Sequence, residues 1–381
     1  MQDQDLARWR LATQHLVGPA AADPATLVGD LLAVQAENHA QAGWAVATRC
    51  APTTRREFDA AFDCGDILRL HVLRTTWHFV RPDDVVWLAQ LTGPRLRPRY
   101  RQSQRQCDVD DRTLAEAVDA VVDVIATDGP RTRAQLRDHL TSASLPAAGP
   151  ALTLITASAE AEALLCSGPI VDGEHTYALV AERAPNARRL DRDEALAEIA
   201  VRYVAGHGPA TAKDLAYWAT LTLGDARLGI AAASDALESF EHDGRTFWHR
   251  ADAEPPRRTT ASAHLLQILD EIYRGYQDSR WVLDTAGLLP RGREASIGMA
   301  LVDGQVAAAT ARTVAPVGVH FSLTPHRTLT PAEQTRLRRV ADAYGAFLEL
   351  PATLSVERGA ERDGEADVSR RSSRSPGPAG T

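Results

Sequence analysis

Two Gly-Pro turns, each followed two residues on by a threonine, set the architecture this chain can adopt. Gly129-Pro130-Arg131-Thr132 opens TRAQLRDHL, and Gly208-Pro209-Ala210-Thr211 opens TAKDLAYWA. Glycine and proline turn the chain, and the threonine hydroxyl can cap the helix behind it. Helical periodicity is expected before each turn, over 113–127 and 193–206, and again after it, over 150–165 and 225–242. Each block then closes in a strand pair with an Asp-Gly turn: PIVDGEHTYALV about Asp172-Gly173, and EHDGRTFWH about Asp243-Gly244. Helix, tight turn, helix, hairpin is the order of a winged helix-turn-helix.

Residues 1–92 read as a larger first copy. Amphipathic helices are expected over 3–16, 24–35, 55–64 and 83–91, with Asp23 capping the second and Pro24 at its first position. Between the last two, RLHVLRTTWHFV alternates and is rich in Val, Thr, Trp and Phe, which predicts two short strands or one bent strand. The C-terminal part differs. HLLQILDEIYRGY (264–276) reads as helix, SIGMALVDGQVAAATARTV as a hairpin about Asp303-Gly304, and GVHFSLTPHRTL as strand. Thr330, Pro331 and Glu333 start a capped helix. From about Glu357 the chain is Arg, Ser, Gly, Pro and acid, a composition that does not form a core.

The expected fold class is mainly α with β, as three tandem winged helix-turn-helix modules plus a C-terminal β-barrel-like module. The boundaries are 1–107 for winged helix 1, 108–186 for winged helix 2, 187–253 for winged helix 3, 254–356 for the C-terminal module and 357–381 for a disordered tail.

Composition excludes some classes. MQDQDLARWR carries charges where a signal peptide needs an apolar run, and no stretch approaches the ~20 apolar residues of a membrane span. Four cysteines lie far apart with no CxxC pair, as expected of a reducing compartment. A cytoplasmic, nucleoid-associated monomer without membrane contact is the expectation. The net charge of −8 argues against a polyanion partner, but its distribution does not. RLRPRYRQSQR holds Arg95, Arg97, Arg99, Arg101 and Arg105 with no acid, whereas acids collect in DVDDRTLAEAVDAVVD. That arginine run is either a solvated loop after a helix or a set of phosphate contacts. Lys213 is the only lysine, so a Schiff-base mechanism has one candidate amine.

The segment LLAVQAENHAQAGWAVATR places Gln35, Glu37, Asn38 and His39 inside an otherwise apolar run. Taken alone, Gln35 and Glu37 would cap and solvate a helix end. His39, His71 and His78 lack the tight spacing of a metal site, and His71 and His78 fall on opposite faces of a regular strand. His78, beside Trp77, would face DNA or a base, or follow Trp77 into the core. Arg69 and Arg74 would contact phosphate or structural carboxylates. DVDDRTLAEAVD lacks the glycine and the spaced glutamate of an EF-hand, and no P-loop, dinucleotide fingerprint, GxSxG or HExxH occurs, so no cofactor or metal is expected.

AVQAENHAQAGWAVATR, RLHVLRTTWHFVRPDD, GHGPATAKDLAYW, LLQILDEIYRGYQDSR and ALVDGQV resemble, in order and from about residue 5 to 355, the AlkZ/YcaQ-like winged-helix DNA-binding family, which includes DNA glycosylases. The resemblance implies tandem winged helices and a barrel-like module around damaged double-stranded DNA. It also implies that Gln35 and Glu37 match the family's catalytic Gln-X-Gln or Gln-X-Asp pair. Hydrolysis of an N-glycosidic bond builds positive charge on the deoxyribose, which a carboxylate stabilises or relieves by taking a proton from water. An amide beside it would hold the water or the sugar without titrating. An alkylated or crosslinked purine already carries positive charge and leaves readily, so neither a strong acid nor a lysine is required. Here the second position is Glu, one methylene longer, which displaces the carboxylate by about 1.5 Å. Either the pocket is rebuilt around the longer arm, or the site is weak or lost and the chain is a non-catalytic winged-helix DNA-binding protein, a regulator or damaged-DNA binder.

Overall fold

The computed structural model describes residues 1–256, 261–267, 269–289 and 298–357. The chain starts with α1 (Asp3–Thr13) and α2 (Pro24–Asp30). Asp23 Oδ1 accepts from the Thr26 amide at 2.8 Å, so α2 starts where the Asp-Pro pair predicts. It ends earlier than periodicity suggests. Leu32 turns the chain at φ 63°, and β1 (Ala33–Gln35) leaves as a strand, followed by α3 (His39–Ala47) and α4 (Arg55–Cys64). The pairing that redirects β1 comes from the hairpin β2 (Leu68–Leu73) and β3 (Thr76–Val80), which forms a sheet in the order β1-β3-β2.

After a 3-10 turn at Pro82–Asp84, α5 (Val85–Cys107) runs for 23 residues with Pro94 and Pro98 inside it. The arginine-rich stretch is therefore helical, not a loop. Next come α6 (Asp111–Asp128), β4 (Arg131–Thr132), α7 (Arg133–Ser142), α8 (Gly149–Ala161), β5 (Leu165–Ser167) and β6 (Thr176–Leu179). The short α9 (Val180–Arg183) leads to α10 (Arg192–His207), α11 (Ala212–Ala219), α12 (Leu223–Ala232) and the hairpin β7 (Leu237–His242) with β8 (Arg245–Arg250). Both segments follow the helix, helix, helix, hairpin order read from the Gly-Pro repeats. Thr132 and Thr211 cap α7 and α11 in capping boxes with Gln135 and Asp214. Asp172-Gly173, Asp243-Gly244 and Asp303-Gly304 all have positive φ, as two-residue hairpin turns require.

The last region departs most from expectation. HLLQILDEIYRGY is not one helix: it supplies β9 (Ala263–Leu266) and one helical turn, α13 (Glu271–Arg274). Pairing of β9 with β10 (Gly298–Val302) overrides the helical pattern. With β11 (Gln305–Ala315), β12 (Gly318–Pro325), α14 (Pro331–Leu348) and β13 (Ala352–Val356), the sheet order is β13-β12-β11-β10-β9. Among the described residues this sheet is open, with β9 and β13 at its edges, so the barrel-like closure is corrected to a five-stranded open sheet. The molecule is mixed α/β with small sheets. The tail beyond Glu357 lies outside the described residues.

Shared cores among the described residues hold these parts together. Leu70, Val72 and Trp87 of the N-terminal region pack with Ile199, Tyr203 and Trp218 of α10 and α11. Trp44, Phe58 and Phe79 pack with Phe321, Tyr344 and Phe347 of the C-terminal sheet and α14. The N-terminal sheet is thus enclosed on two sides, and this is what buries the polar residues at its edge.

Candidate functional site

Gln35 is the last residue of β1 and stands opposite His78 in β3. The pairing overruns by one bond, Ala36 N–H to Trp77 O at 2.7 Å. Asn38 then caps α3, accepting from the Gln41 amide at 3.0 Å. Neither Gln35 nor Glu37 is the cap. They flank Ala36 in a short link between a strand and a helix, and the link turns them to different environments. Gln35 is 2% exposed, and Glu37 is exposed.

Gln35 belongs to a buried polar cluster. Its backbone N–H donates to Glu271 Oε1 at 2.8 Å, and its side-chain Oε1 accepts from Arg74 Nη2 at 3.1 Å. Arg74 sits at φ 54° in the β2–β3 turn, where its backbone N–H donates to Thr220 Oγ1 at 2.8 Å. Its guanidinium points inward, donating from Nη1 to Trp218 O at 2.9 Å and approaching Glu271 Oε1 at 3.8 Å. Nη2 also meets His78 Nε2 at 3.0 Å, while His78 Nδ1 meets Thr76 O at 2.9 Å. Arginine and a carbonyl oxygen leave one choice of tautomer: Nδ1 carries the proton and Nε2 the lone pair. Burial, then the Arg74 charge, push the His78 imidazole down to about 3. Burial alone would raise the Glu271 carboxyl. The hydrogen bond from His207 at 3.3 Å and the charge of Arg74 outweigh it and hold the group at about 2. Trp218 Nε1 completes Glu271 at 2.9 Å.

Glu37 stands at the edge of a second cluster. Its Oε2 accepts from the Trp77 backbone N–H at 3.3 Å. Arg69 clamps the same link, donating from Nε to Ala36 O at 2.9 Å and from Nη2 to Glu37 O at 3.2 Å. Its guanidinium carbon lies 4.3 Å from the Trp77 ring centroid, a cation–π stack. Behind Trp77, buried Glu160 of α8 bonds the His71 imidazole and accepts from the His71 N–H at 3.1 Å and from Trp77 Nε1 at 3.4 Å.

The structure brings Gln35, Arg74 and His78 together, and Glu37 with Arg69. Of the residues read as DNA contacts, His78 is buried and the Arg74 side chain is only 9% exposed, so neither presents a surface to phosphate. Their placement is corrected to the interior, where Arg74 balances Glu271. Arg69 is half-buried and serves the link. Arg95, Arg97, Arg99 and Arg101 are all exposed on α5, but not on one face. Arg95 and Arg99 lie about 200° around the helix from Arg97 and Arg101. Arg99 Nη1 reaches Thr75 Oγ1 in the β2–β3 turn at 3.4 Å. Arg97 turns to Glu162 at 3.7 Å, in a groove of about 590 Å³ that Arg101, Tyr100 and Ser158 also line.

Sequence reasoning missed Glu271, Trp218, Thr220 and Glu160, which come from elsewhere in the chain. Trp218 and Glu271 lie in segments singled out for the resemblance, but nothing local marks either as a partner of Gln35 or Arg74. His39 is buried against Phe58, Phe62, Phe79 and His175, with Nε2 3.4 Å from Asp59. Among the described residues, no cluster of three or more potential metal ligands is present. Nor, among them, is any helix long and apolar enough to cross a membrane.

The family model described as DNA glycosylase AlkZ-like matches residues 28–347. Among solved structures, Streptomyces sahachiroi DNA glycosylase AlkZ is similar at 19% identity, covering 93% of this chain and 100% of that one, with a TM-score of 0.68. At that identity the likeness speaks to the fold. No curated protein matches the chain.

Proposed function

Because this chain belongs to the AlkZ-like DNA glycosylase family, we propose that it is a monofunctional hydrolase of the N-glycosidic bond in duplex DNA, acting on alkylated or crosslinked purines. The observation that carries this reading is the placement of Glu37. Its carboxylate is exposed, its backbone is clamped by Arg69, and one of its oxygens is anchored on Trp77 N–H. An anion held in that way is pre-organised for charge that develops on a bound sugar.

In the proposed reaction the C1′–N bond breaks and the purine leaves with the electron pair, which discharges its alkylation-derived positive charge. Glu37 faces the oxocarbenium-like sugar, takes a proton from water, and the water oxygen bonds to C1′. Gln35 positions water or sugar. A bulky adduct need not be flipped fully from the stack, which avoids a cost of a few kcal/mol. We read α6 to β6 and α10 to β8 as winged-helix modules that contact the duplex together with exposed arginines of α5. The protein is proposed to act as a cytoplasmic, nucleoid-associated monomer, in general repair or in self-resistance to a genotoxin.

One observation favours the second reading, a non-catalytic binder of damaged DNA: a glutamate stands where the family's pattern has Gln or Asp, and one of its oxygens already has a partner. Incubation with 7-methylguanine-containing and crosslinked duplexes, followed by hot alkali, separates the two. Strand breaks with wild type that fall roughly 100-fold or more in Glu37→Gln support hydrolysis. Tight, salt-dependent binding without breaks on any adduct rejects it.

A further inference from the structure

The block from α10 to β8 carries a cleft that the proposed chemistry does not use. It opens between the start of α11, α12 and the β7–β8 turn and encloses about 470 Å³, with Thr211, Lys213, Arg227, Arg245, Trp248 and Asp278 in its lining. Three elements each supply a cation: Lys213 from α11, Arg227 from α12 and Arg245 from β8. Asp278, with its side chain 18% exposed, accepts from Thr211 Oγ1 at 3.2 Å. One of its oxygens stands 3.6 Å from Lys213 Nζ, and the other 3.6 Å from Arg245 Nε. Arg245 also meets Asp243 at 2.8 Å. Arg227 is exposed and forms no ion pair among the described residues, and the Lys213 side chain is 64% exposed. Surface pairs as long as that of Lys213 contribute little, so its ammonium can turn to another anion at small cost.

The exposed side of α12 consists of Gly224, Arg227, Leu228, Ala231 and Ala232, so Arg227 alone brings a polar side chain there. Such a surface has little with which to read base edges, whereas phosphate asks only for positive charge. On α11, Lys213, Tyr217 and Thr220 follow at i, i+4 and i+7 and share one side of the helix. Thr220 Oγ1 accepts from the Arg74 N–H in the β2–β3 turn, and Arg99 reaches Thr75 in the same turn. From Lys213 to Thr220 the helix rises about 10 Å, a length that a duplex covers in about three base pairs. The cleft and Arg99 thus stand at two ends of one track, which a regular polyanion can engage at both places and a small anion cannot. We propose that Lys213 and Arg227 seat a backbone phosphate of duplex DNA in this cleft, without base readout. The proposal rests on the reading of the chain as an enzyme of duplex DNA and assigns the residues by which its third block holds that duplex.

Binding to undamaged duplexes tests this without requiring excision. The full chain is titrated over a range of salt against one A·T-rich and one G·C-rich duplex. Lys213→Gln and Arg227→Gln are each expected to lower the slope of log K against log salt by about 0.9, equally on both duplexes. Lys213→Arg and Arg227→Lys keep the charge and are expected to retain the wild-type slope. Arg192→Gln removes an arginine of α10 that Asp225 holds at 2.8 Å, and it too is expected to leave the slope unchanged. The proposal is overturned by unchanged slopes in Lys213→Gln and Arg227→Gln, or by a loss confined to one of the two sequences. An equal loss in Arg192→Gln also overturns it, because the effect would then follow net charge and not the cleft. The same proteins are then given the 7-methylguanine duplex. A slope that depends on Lys213 and Arg227 in a wild-type protein that excises nothing leaves the cleft assigned and rejects the glycosylase reading. Excision together with slopes that ignore both residues does the reverse.

Discussion

Glutamate at position 37 reaches one methylene farther than aspartate, and that length is what brings Oε2 to the Trp77 N–H. Glu37→Asp withdraws the carboxylate by about 1.5 Å, which breaks this bond and frees the group to rotate. Excision is expected to fall at least about tenfold, since misplacement on that scale is costly near reacting atoms. Single-turnover kinetics on the 7-methylguanine duplex measure it, and a rate equal to wild type would mean that the longer arm has no role. The neighbouring interior residues act on stability. His78 titrates near 6.5 when unfolded and near 3 when folded, so it is neutral inside and protonated outside across that window. The unfolded state then binds the extra proton, and stability falls by about 1.4 kcal/mol per pH unit from this residue alone as pH drops below 6.5. Buried His264, pushed down to about 4 by burial, adds to the same loss. Glu271, lowered to about 2, contributes stability above pH 4.5 that disappears as pH falls toward 2. Urea melts at pH 7, 6 and 5 should show this decline, and His78→Gln should make it shallower while leaving the share of His264.

At the scale of elements, α5 determines how its arginines can act. Its two pairs point to nearly opposite sides, so one duplex cannot collect all four. Arg99 meets the β2–β3 turn that carries Arg74, and Arg95 shares its face; Arg97 faces Glu162 across a groove. Arg95→Ala and Arg99→Ala are each expected to lower the slope of log K against log salt by about 0.9, with Arg97→Ala leaving it unchanged. Equal slopes for all of them would place the duplex elsewhere. The same helix shows what was legible in the sequence. Its charge run was plain, but the helix itself was hidden by Pro94 and Pro98, which read locally as breaks. Capping boxes at Thr132, Thr211 and Thr330 and the Asp-Gly turns were legible because each is encoded within a few residues. HLLQILDEIYRGY carries a helical pattern and still supplies a strand, because pairing with β10 is a long-range choice. Gln35 and Glu37 stood out as polar residues in an apolar run, yet nothing nearby could say that one would be buried and the other exposed. That division depends on Trp218 and Glu271, far along the chain.

Across the whole molecule, the polar interior is built from parts that sequence would assign to separate modules. Arg49 from α3's end pairs with Asp270 at 2.6 Å, with both side chains 1% exposed. Gln35, Arg74 and Glu271 meet Trp218 and His207, and Glu160 of α8 holds His71 and Trp77. Removing one partner of a buried ion pair leaves an uncompensated charge and costs about 3–5 kcal/mol. A fragment ending at residue 107 would lose several partners together: Asp270 for Arg49, Glu271 and the Trp218 carbonyl for Arg74, and Glu160 for His71. It would also expose Leu70, Val72 and Trp87, which pack on α10 and α11. Such a fragment is expected to lack fixed tertiary structure, with weak near-ultraviolet circular dichroism and no cooperative melt. The full chain, by the same reasoning, should melt in one transition, with probes on Trp77 and Trp218 reporting the same midpoint. Two separated transitions, or a folded fragment, would show that the N-terminal region carries its buried charges without help. Gln35 could then be placed by local sequence alone, which its contacts to Glu271 argue against.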